Sequence, residues 1–287
     1  MENSIVIIGA GRIGSKIAEK ILKFYKNILI IDRDIVEESN VEDGYIFTLG
    51  DLGKPKALVL KKKLNINGIV EDLSSDNMNL IKDAKLIIDG TDNFETRFLL
   101  NDFAVKNSIP YIFSSVIQNK GMVFPIMVNK PCLRCVFEDP LNFQSCETLG
   151  VELNVVEKVT DKQLELGLKI LNKGEVLSEL IYFNNKEKNI MVKNRLNCKC
   201  CIRRNYEFLN SKSKTRIVKF CGSGCYMIKD EFDFLKLKNK LKNKIEDYGN
   251  AFNYKGIMVY RDKVMLKAEN KIKAKNLYLE LINEENG

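Results

Sequence analysis

The chain has 287 residues, enough for one large or two modest domains, and its 45% hydrophobic and 29% charged residues are the balance of a globular protein with a full core. No apolar run approaches the roughly 20 residues of a membrane span, and the first residues lack the basic-then-apolar pattern of a signal peptide, so a cytoplasmic protein with no membrane partner is expected. Histidine is absent, which excludes a Ser-His-Asp triad, a Cys-His pair and any His-ligated metal and leaves the chemistry to carboxylates, Lys, Arg, Cys or a metal ion.

Residues 4–9 read as a buried strand entering a glycine turn, and 13–24 carry apolar positions at helical spacing. A second buried strand follows at 28–32, then a helix at 55–65, a strand at 68–72 and another buried strand at 86–89. A helix is expected over 94–107 and a strand over 110–114. Strands alternating with helices predict an α/β fold with a doubly wound, Rossmann-like, mostly parallel sheet. The pattern then changes to a strand over 121–128, a crossing loop over 143–158, a helix over 160–172 and a hairpin over 178–193. From 206 a separate, small α+β unit is expected, giving domains 1–205 and 206–287. The second holds a Cys-Gly-Ser-Gly-Cys segment (221–225), a lysine-rich helix (232–247), a β hairpin (254–267) and a final helix (271–282). Cys221 and Cys225 are read as packing, because three intervening residues are not a standard zinc spacing. Of the formal net charge of +8, most sits in residues 206–287, with 17 Lys or Arg against 11 Asp or Glu. A solvated lysine-rich face is the reading preferred over a nucleic-acid patch, and nucleic acid is not an expected partner.

Four motifs carry chemistry. Gly9, Gly11 and Gly14 follow a strand and open a helix, the context in which a glycine turn lets phosphates approach the backbone at a helix N-terminus. Asp32 ends the second strand, 18 residues after Gly14, where a carboxylate accepts ribose hydroxyls. Asn40 and Lys56 are placed to address phosphates, and Asp92, just after the strand at 86–89, to hold Mg²⁺. Together they describe a pocket for a nucleoside triphosphate. Cys132-Leu133-Arg134-Cys135 and Cys198-Lys199-Cys200-Cys201 form two C-x-x-C pairs, a spacing that points to a closed zinc site of four thiolates from Cys132, Cys135, Cys198 and Cys201. Cys200 is a possible substitute for Cys201.

In this order the motifs resemble those of the ThiF/MoeB/HesA family, relatives of the ubiquitin-activating enzymes, over residues 4–203. The C-terminal unit resembles the tail of some archaeal-type members. The resemblance implies ATP-dependent adenylation of the C-terminal carboxylate of a ubiquitin-like sulfur-carrier protein, in a homodimer or heterodimer. It assigns Gly9, Gly11 and Gly14 to the phosphate loop, Asp32 to ribose, Asn40 and Lys56 to phosphates, Asp92 to Mg²⁺ and catalysis, and zinc to the two cysteine pairs. Arg97 matches the last residue of its motif and is read as structural. Cys146, before Gly150-Val151, matches a crossover-loop cysteine that in some members carries the carrier covalently.

Three departures stand out. Asp43 occupies the place of a phosphate-binding arginine. The family's N-terminal helix, which lends an arginine to the partner subunit, has no counterpart before the first strand. Arg12 stands where the family commonly has glycine, and is expected to restore positive charge at the phosphates. Two other readings follow: a non-catalytic nucleotide- or carrier-binding subunit, favoured by the missing arginines, and an NAD-binding Rossmann protein, which the cysteine pairs and the segment from Thr91 to Arg97 oppose.

Overall fold

A computed structural model describes residues 4–42, 46–138, 152–184, 186–210, 217–219, 225–230 and 232–286. The chain divides into two compact units, Met1–Ser211 and Lys212–Gly287.

The first unit is built on an eight-stranded sheet. Its strands are β1 (Ile5–Ile8), β2 (Ile28–Asp32), β3 (Asn67–Val70), β4 (Leu86–Asp89), β5 (Tyr111–Ile117), β6 (Lys120–Ile126), β7 (Glu179–Phe183) and β8 (Glu187–Met191). They lie in the order β3-β2-β1-β4-β5-β6-β7-β8. The first five are parallel, and β6 to β8 extend the sheet antiparallel. Every residue of β1, β2 and β4 is buried, as a parallel strand covered on both faces requires. Alternate residues feed opposite cores: Ile5 and Ile7 join α1 (Arg12–Ile21) and α6 (Leu153–Leu171), while Val6 and Ile8 join α4 (Phe94–Asn107). α2 (Glu38–Glu42) and α3 (Lys56–Leu64) follow β2 in sequence. The order turns back between β1 and β4, and at such a reversal open α/β sheets bind ligands beyond the strands' carboxyl ends.

The crossing loop expected over 143–158 is corrected in part. Helix α6 already begins at Leu153, because Val155, Val156 and Val159 form a buried helical stripe. It lies close on β6: a Cβ at Gly121 would stand 2.6 Å from Val159 and 3.0 Å from Val155 side-chain atoms. Residues 143–151 are outside the described residues.

The second unit is a six-stranded antiparallel sheet, ordered β11-β12-β13-β14-β10-β9, of β9 (Ile217–Lys219), β10 (Cys225–Lys229), β11 (Glu246–Asp247), β12 (Ala251–Tyr254), β13 (Ile257–Tyr260) and β14 (Lys263–Lys267). With α8 (Phe234–Lys240) and α9 (Lys271–Asn286) it encloses its own core, including Phe252, Val264, Leu237 and Leu281. The helix expected over 232–247 is shorter. Its buried residues Phe234 and Leu237 lead to Leu241, a 3₁₀ turn takes Lys242–Lys244, and Glu246 and Asp247 pair with β12. The hairpin expected over 254–267 is a meander of three strands, turning first at Lys255-Gly256, both at positive φ (50° and 82°). Among the described residues no helix is long and apolar enough to cross a membrane.

Candidate nucleotide site and cysteine centre

The glycine turn between β1 and α1 shows two different uses of glycine. Gly9 lies at φ +91°, and a Cβ there would stand 2.5 Å from the Gly90 carbonyl oxygen. A Cβ on Gly14 would stand 1.8 Å from the Gly9 carbonyl oxygen. These glycines let the turn, α1 and the end of β4 touch backbone to backbone. Gly11 is different: a Cβ there would meet no protein atom within 4 Å, so the turn is open at this residue. Arg12 follows as the half-buried first residue of α1.

Asp32 closes β2 beneath this turn. Its carboxylate accepts the Ala10 N–H at 2.5 Å and the Asp34 N–H at 2.5 Å. Burial pushes this carboxyl up to about 6, with the charge of Asp34 adding to the rise and Lys56 and the two backbone donors opposing it. Lys56 is buried at the start of α3, its ammonium 3.9 Å from Asp34. The segment before it is pinned to the end of β2 by Val36 N–H to Lys54 carbonyl (2.9 Å) and Lys56 N–H to Asp34 carbonyl (2.8 Å). Asp51, in the same motif, is structural: Thr48 and Lys63 donate to it. The Asn40 side-chain oxygen accepts the Glu37 N–H at 2.9 Å, which shapes the turn into α2.

Asp92 is exposed, on a turn held rigidly from below. Asp89, fully buried at the end of β4, accepts from Thr91 N–H (2.8 Å), Thr91 Oγ1 (2.7 Å), Arg97 Nε (3.2 Å) and Tyr111 hydroxyl (3.1 Å). Burial pushes the Asp89 carboxyl up, against Arg97 and its other donors. Arg97 also donates to the Thr91 carbonyl at 2.5 Å and lies between the rings of Phe94 (5.1 Å) and Phe113 (5.3 Å). Asn93 caps α4 by accepting the Thr96 N–H at 2.8 Å.

Arg33 was not singled out by the motifs, yet it links the carboxylates at this end of the sheet. Its guanidinium is 3.0 Å from Asp72 and 3.6 Å from Asp34. Burial acts to lower its pKa, but the charges of Asp72, Asp34, Asp92 and Asp32 together raise it. The signal available in the sequence was a lone cation between two carboxylates in Asp32-Arg33-Asp34.

The second constellation lies on the loops carrying α5 (Leu133–Val136) and the residues around 198–201. The sulfurs of Cys132, Cys135, Cys198 and Cys201 all lie within 4.8 Å of one another, with Cys132–Cys198 at 3.6 Å and Cys135–Cys201 at 3.5 Å. Tetrahedral zinc with bonds of about 2.3 Å sets its sulfurs about 3.8 Å apart, so this donor set fits zinc. The hydrogen bond with Cys132 holds the Cys135 thiol down at about 6. Cys200 is not in this group; fully buried, it accepts from Asn101 Nδ2 at 3.3 Å. Glu207, on α7 (Glu207–Asn210), ties the two loops together, receiving Arg134 at 2.7 Å and Lys199 at 3.0 Å. Asp43, Cys146 and Cys221 lie outside the described residues, as does the Cys225 side chain.

A glycine turn and a strand-end carboxylate at the switch point of a doubly wound sheet define a Rossmann-like α/β protein with a place for a nucleotide, here joined to a four-cysteine centre. The ThiF family model matches residues 1–231, and the chain belongs to the ThiF family. It is 31% identical over 246 residues to the sulfur carrier protein ThiS adenylyltransferase of Bacillus subtilis (strain 168), covering 79% of this chain and 73% of that protein. It is 33% identical over 152 residues to a sulfur carrier protein adenylyltransferase of Thermus thermophilus, covering 48% of this chain and 56% of that one. Among solved structures, E. coli MccB with ATP superposes at a TM-score of 0.60 with 18% identity, covering 69% of this chain and 66% of that chain, a likeness of fold.

Proposed function

We propose that this protein is an adenylyltransferase that uses ATP to activate the C-terminal carboxylate of a ubiquitin-like sulfur-carrier protein. One observation carries the reading: the open turn at Gly11 lies over the ribose-type carboxylate Asp32, whose field reaches Lys56, at the switch-point end of a ThiF-family sheet. The names of the Bacillus and Thermus relatives support the substrate class.

In this reading Asp32 accepts ribose hydroxyls, and the open turn with the N-terminus of α1 receives phosphates. Arg12, Asn40 and Lys56 add donors and positive charge there. Asp92 would hold Mg²⁺, an ion that favours carboxylate and phosphate oxygens and neutralises charge building on the phosphates. The carrier's carboxylate oxygen forms a bond to the α-phosphorus while the α–β anhydride bond breaks and pyrophosphate leaves. No proton moves, so no general base is required, and placement with charge neutralisation does the work. A chain without histidine is sufficient for it. The four thiols at Cys132, Cys135, Cys198 and Cys201 would hold Zn²⁺ in a structural role. A following step is assigned to Cys146: its thiolate attacks the acyl-adenylate carbonyl, a thioester forms and AMP leaves.

ATP–pyrophosphate exchange tests this with the purified protein, Mg²⁺ and each ubiquitin-like carrier of the same genome. Carrier-dependent exchange that disappears in Asp92→Ala is the expected result. Absence of exchange in folded, zinc-loaded protein would instead favour a non-catalytic subunit.

A further inference from the structure

Helix α4 carries a polar pair that the nucleotide site does not use. Asn101 and Asp102 are both fully buried, in a segment otherwise occupied by Phe98, Leu99, Leu100, Phe103 and Ala104. A buried amide needs partners on both its oxygen and its nitrogen, and each partner it finds fixes part of the structure around it. Asn101 Oδ1 accepts the Leu133 N–H at 2.8 Å, the amide immediately after Cys132. That backbone donor fixes the orientation of the side chain, because only the oxygen can receive it. Asn101 Nδ2 is thereby turned to Cys200 Sγ at 3.3 Å, between Cys198 and Cys201. One side chain thus spans both cysteine loops from a helix that belongs to neither. Asp102, next on the helix, accepts the Phe208 N–H at 3.0 Å, where Phe208 stacks on Phe98 with ring centroids 5.2 Å apart.

The same helix begins at the nucleotide end of the sheet. Asn93 caps it, and Arg97, one turn before Asn101, is locked to Asp89 and to the Thr91 carbonyl beside Asp92. Asn101 stands about 10 Å along α4 from Phe94, the first residue of the helix and two residues after Asp92, at a rise of about 1.5 Å per residue. An α-helix of this length moves as a rigid rod, so restraint at one end is felt at the other.

We propose that Asn101 is a positioning residue that couples the four-cysteine metal centre to the nucleotide site through α4. With the metal holding both loops in register, Asn101 is clamped and the turn bearing Asp92 is held at its working height. This coupling rests on the adenylation reading for its nucleotide, whereas the clamp on the metal loops does not.

Coupling between two ligands is reciprocal, so it is read from either side. The test follows zinc release to 4-(2-pyridylazo)resorcinol from the zinc-loaded full-length protein, with and without saturating Mg-ATP. Calorimetric titration of ATP is run in parallel. In the wild type, ATP is expected to slow release about tenfold. Asn101→Ala is expected to release zinc about tenfold faster and to gain less than twofold protection from ATP. Cys200→Ser keeps an acceptor for Asn101 and is expected to behave as the wild type, and Cys200→Val to fall towards the Asn101 variant. If Asn101→Ala fails to fold, the Cys200 pair decides: equal behaviour of the serine and valine variants overturns the coupling. Zinc release from Asn101→Ala at the wild-type rate overturns the clamp. Wild-type protein that binds ATP without slower release overturns the coupling alone, whereas protein that binds no ATP overturns the coupling and the adenylation reading together.

Discussion

Gly11 and Gly14 sit in opposite surroundings, one open and one packed against backbone, and alanine separates them. A methyl group on Gly14 is driven into the Gly9 carbonyl, so Gly14→Ala should lose about 3 kcal/mol or more of stability. Gly11 has extended backbone (φ −72°, ψ −159°), which alanine adopts freely, and no neighbouring atom to strike. Gly11→Ala should therefore keep its stability within about 0.5 kcal/mol. Its ATP affinity should fall about tenfold or more, measured by calorimetry beside a urea melt. Asp32 makes a second prediction, in pH. With its carboxyl pushed up to about 6, the folded protein takes up a proton on Asp32 as pH falls through 6, and a neutral carboxyl is the poorer acceptor for ribose. Adenosine carries no phosphate that titrates in this range. Its affinity should fall about threefold to fourfold from pH 7.5 to 5.5 in the wild type and stay flat in Asp32→Asn. A wild-type curve as flat as the variant's would count against the ribose role. The stability linkage has the opposite slope. A raised carboxyl stabilises fully below its unfolded value, and this contribution, about 3 kcal/mol, is lost as pH rises from near 4 through 6.

Among the elements, α4 organises the site most directly. Its capping Asn93, its Arg97–Asp89 pair and its Asn101–Leu133 bond are successive attachments to the Asp92 turn, the sheet and the cysteine loops. The Arg97–Asp89 pair is buried, and its neighbours Tyr111 and Thr91 are arranged for a charged carboxylate. Removing the cation leaves a buried carboxylate without its counter-charge, so Arg97→Ala should cost about 3–5 kcal/mol. The loss should be smaller at pH 5 than at pH 8. Without Arg97 only the Thr91 and Tyr111 donors oppose burial, the folded Asp89 holds its proton to higher pH, and stability is retained below that value and lost above it. Urea titrations at the two pH values distinguish this from a simple packing defect, which would be equal at both. On the cysteine loops, metal analysis of the purified protein should find about one zinc per chain. Cys201→Ser should lose it and Cys200→Ser retain it, since Cys200 is not among the four thiols that all lie within 4.8 Å of one another and accepts from Asn101.

On a larger scale, the chain divides into two units, and among the described residues the core of the second is complete in itself. Residues of β10, β12, β13 and β14 pack with α8 and α9 around Phe252, Val264 and Leu237. Scanning calorimetry should accordingly show two transitions. Chelation of zinc should lower only the one belonging to Met1–Ser211, because all four thiols of the centre lie in that unit. A single transition that moves as a whole on chelation would contradict this independence. Glu207 and Phe208 contact Arg134 and Phe98, which is why the first unit extends past residue 205 to close over its own cysteine loops.

The parallel sheet and the places of its glycine turn and strand-end Asp32 were readable from the residues alone, because period and turn chemistry are local properties. The grouping of Cys132, Cys135, Cys198 and Cys201 was legible too, because two C-x-x-C pairs have the spacing of a metal site. The helix over 94–107 was legible to the residue, bounded by the Asn93 cap and by Ser108 in the left-handed region (φ 57°). The early start of α6 was not: its valine stripe looks like loop until Gly121 supplies a surface to receive it. Equally hidden were the carboxylates gathered on Arg33, the buried hub at Asp89 and the reach of Asn101 across both cysteine loops. Each joins residues far apart in the chain through hydrogen bonds and charge at close range. No local pattern encodes such distances, and they arise only when the chain folds.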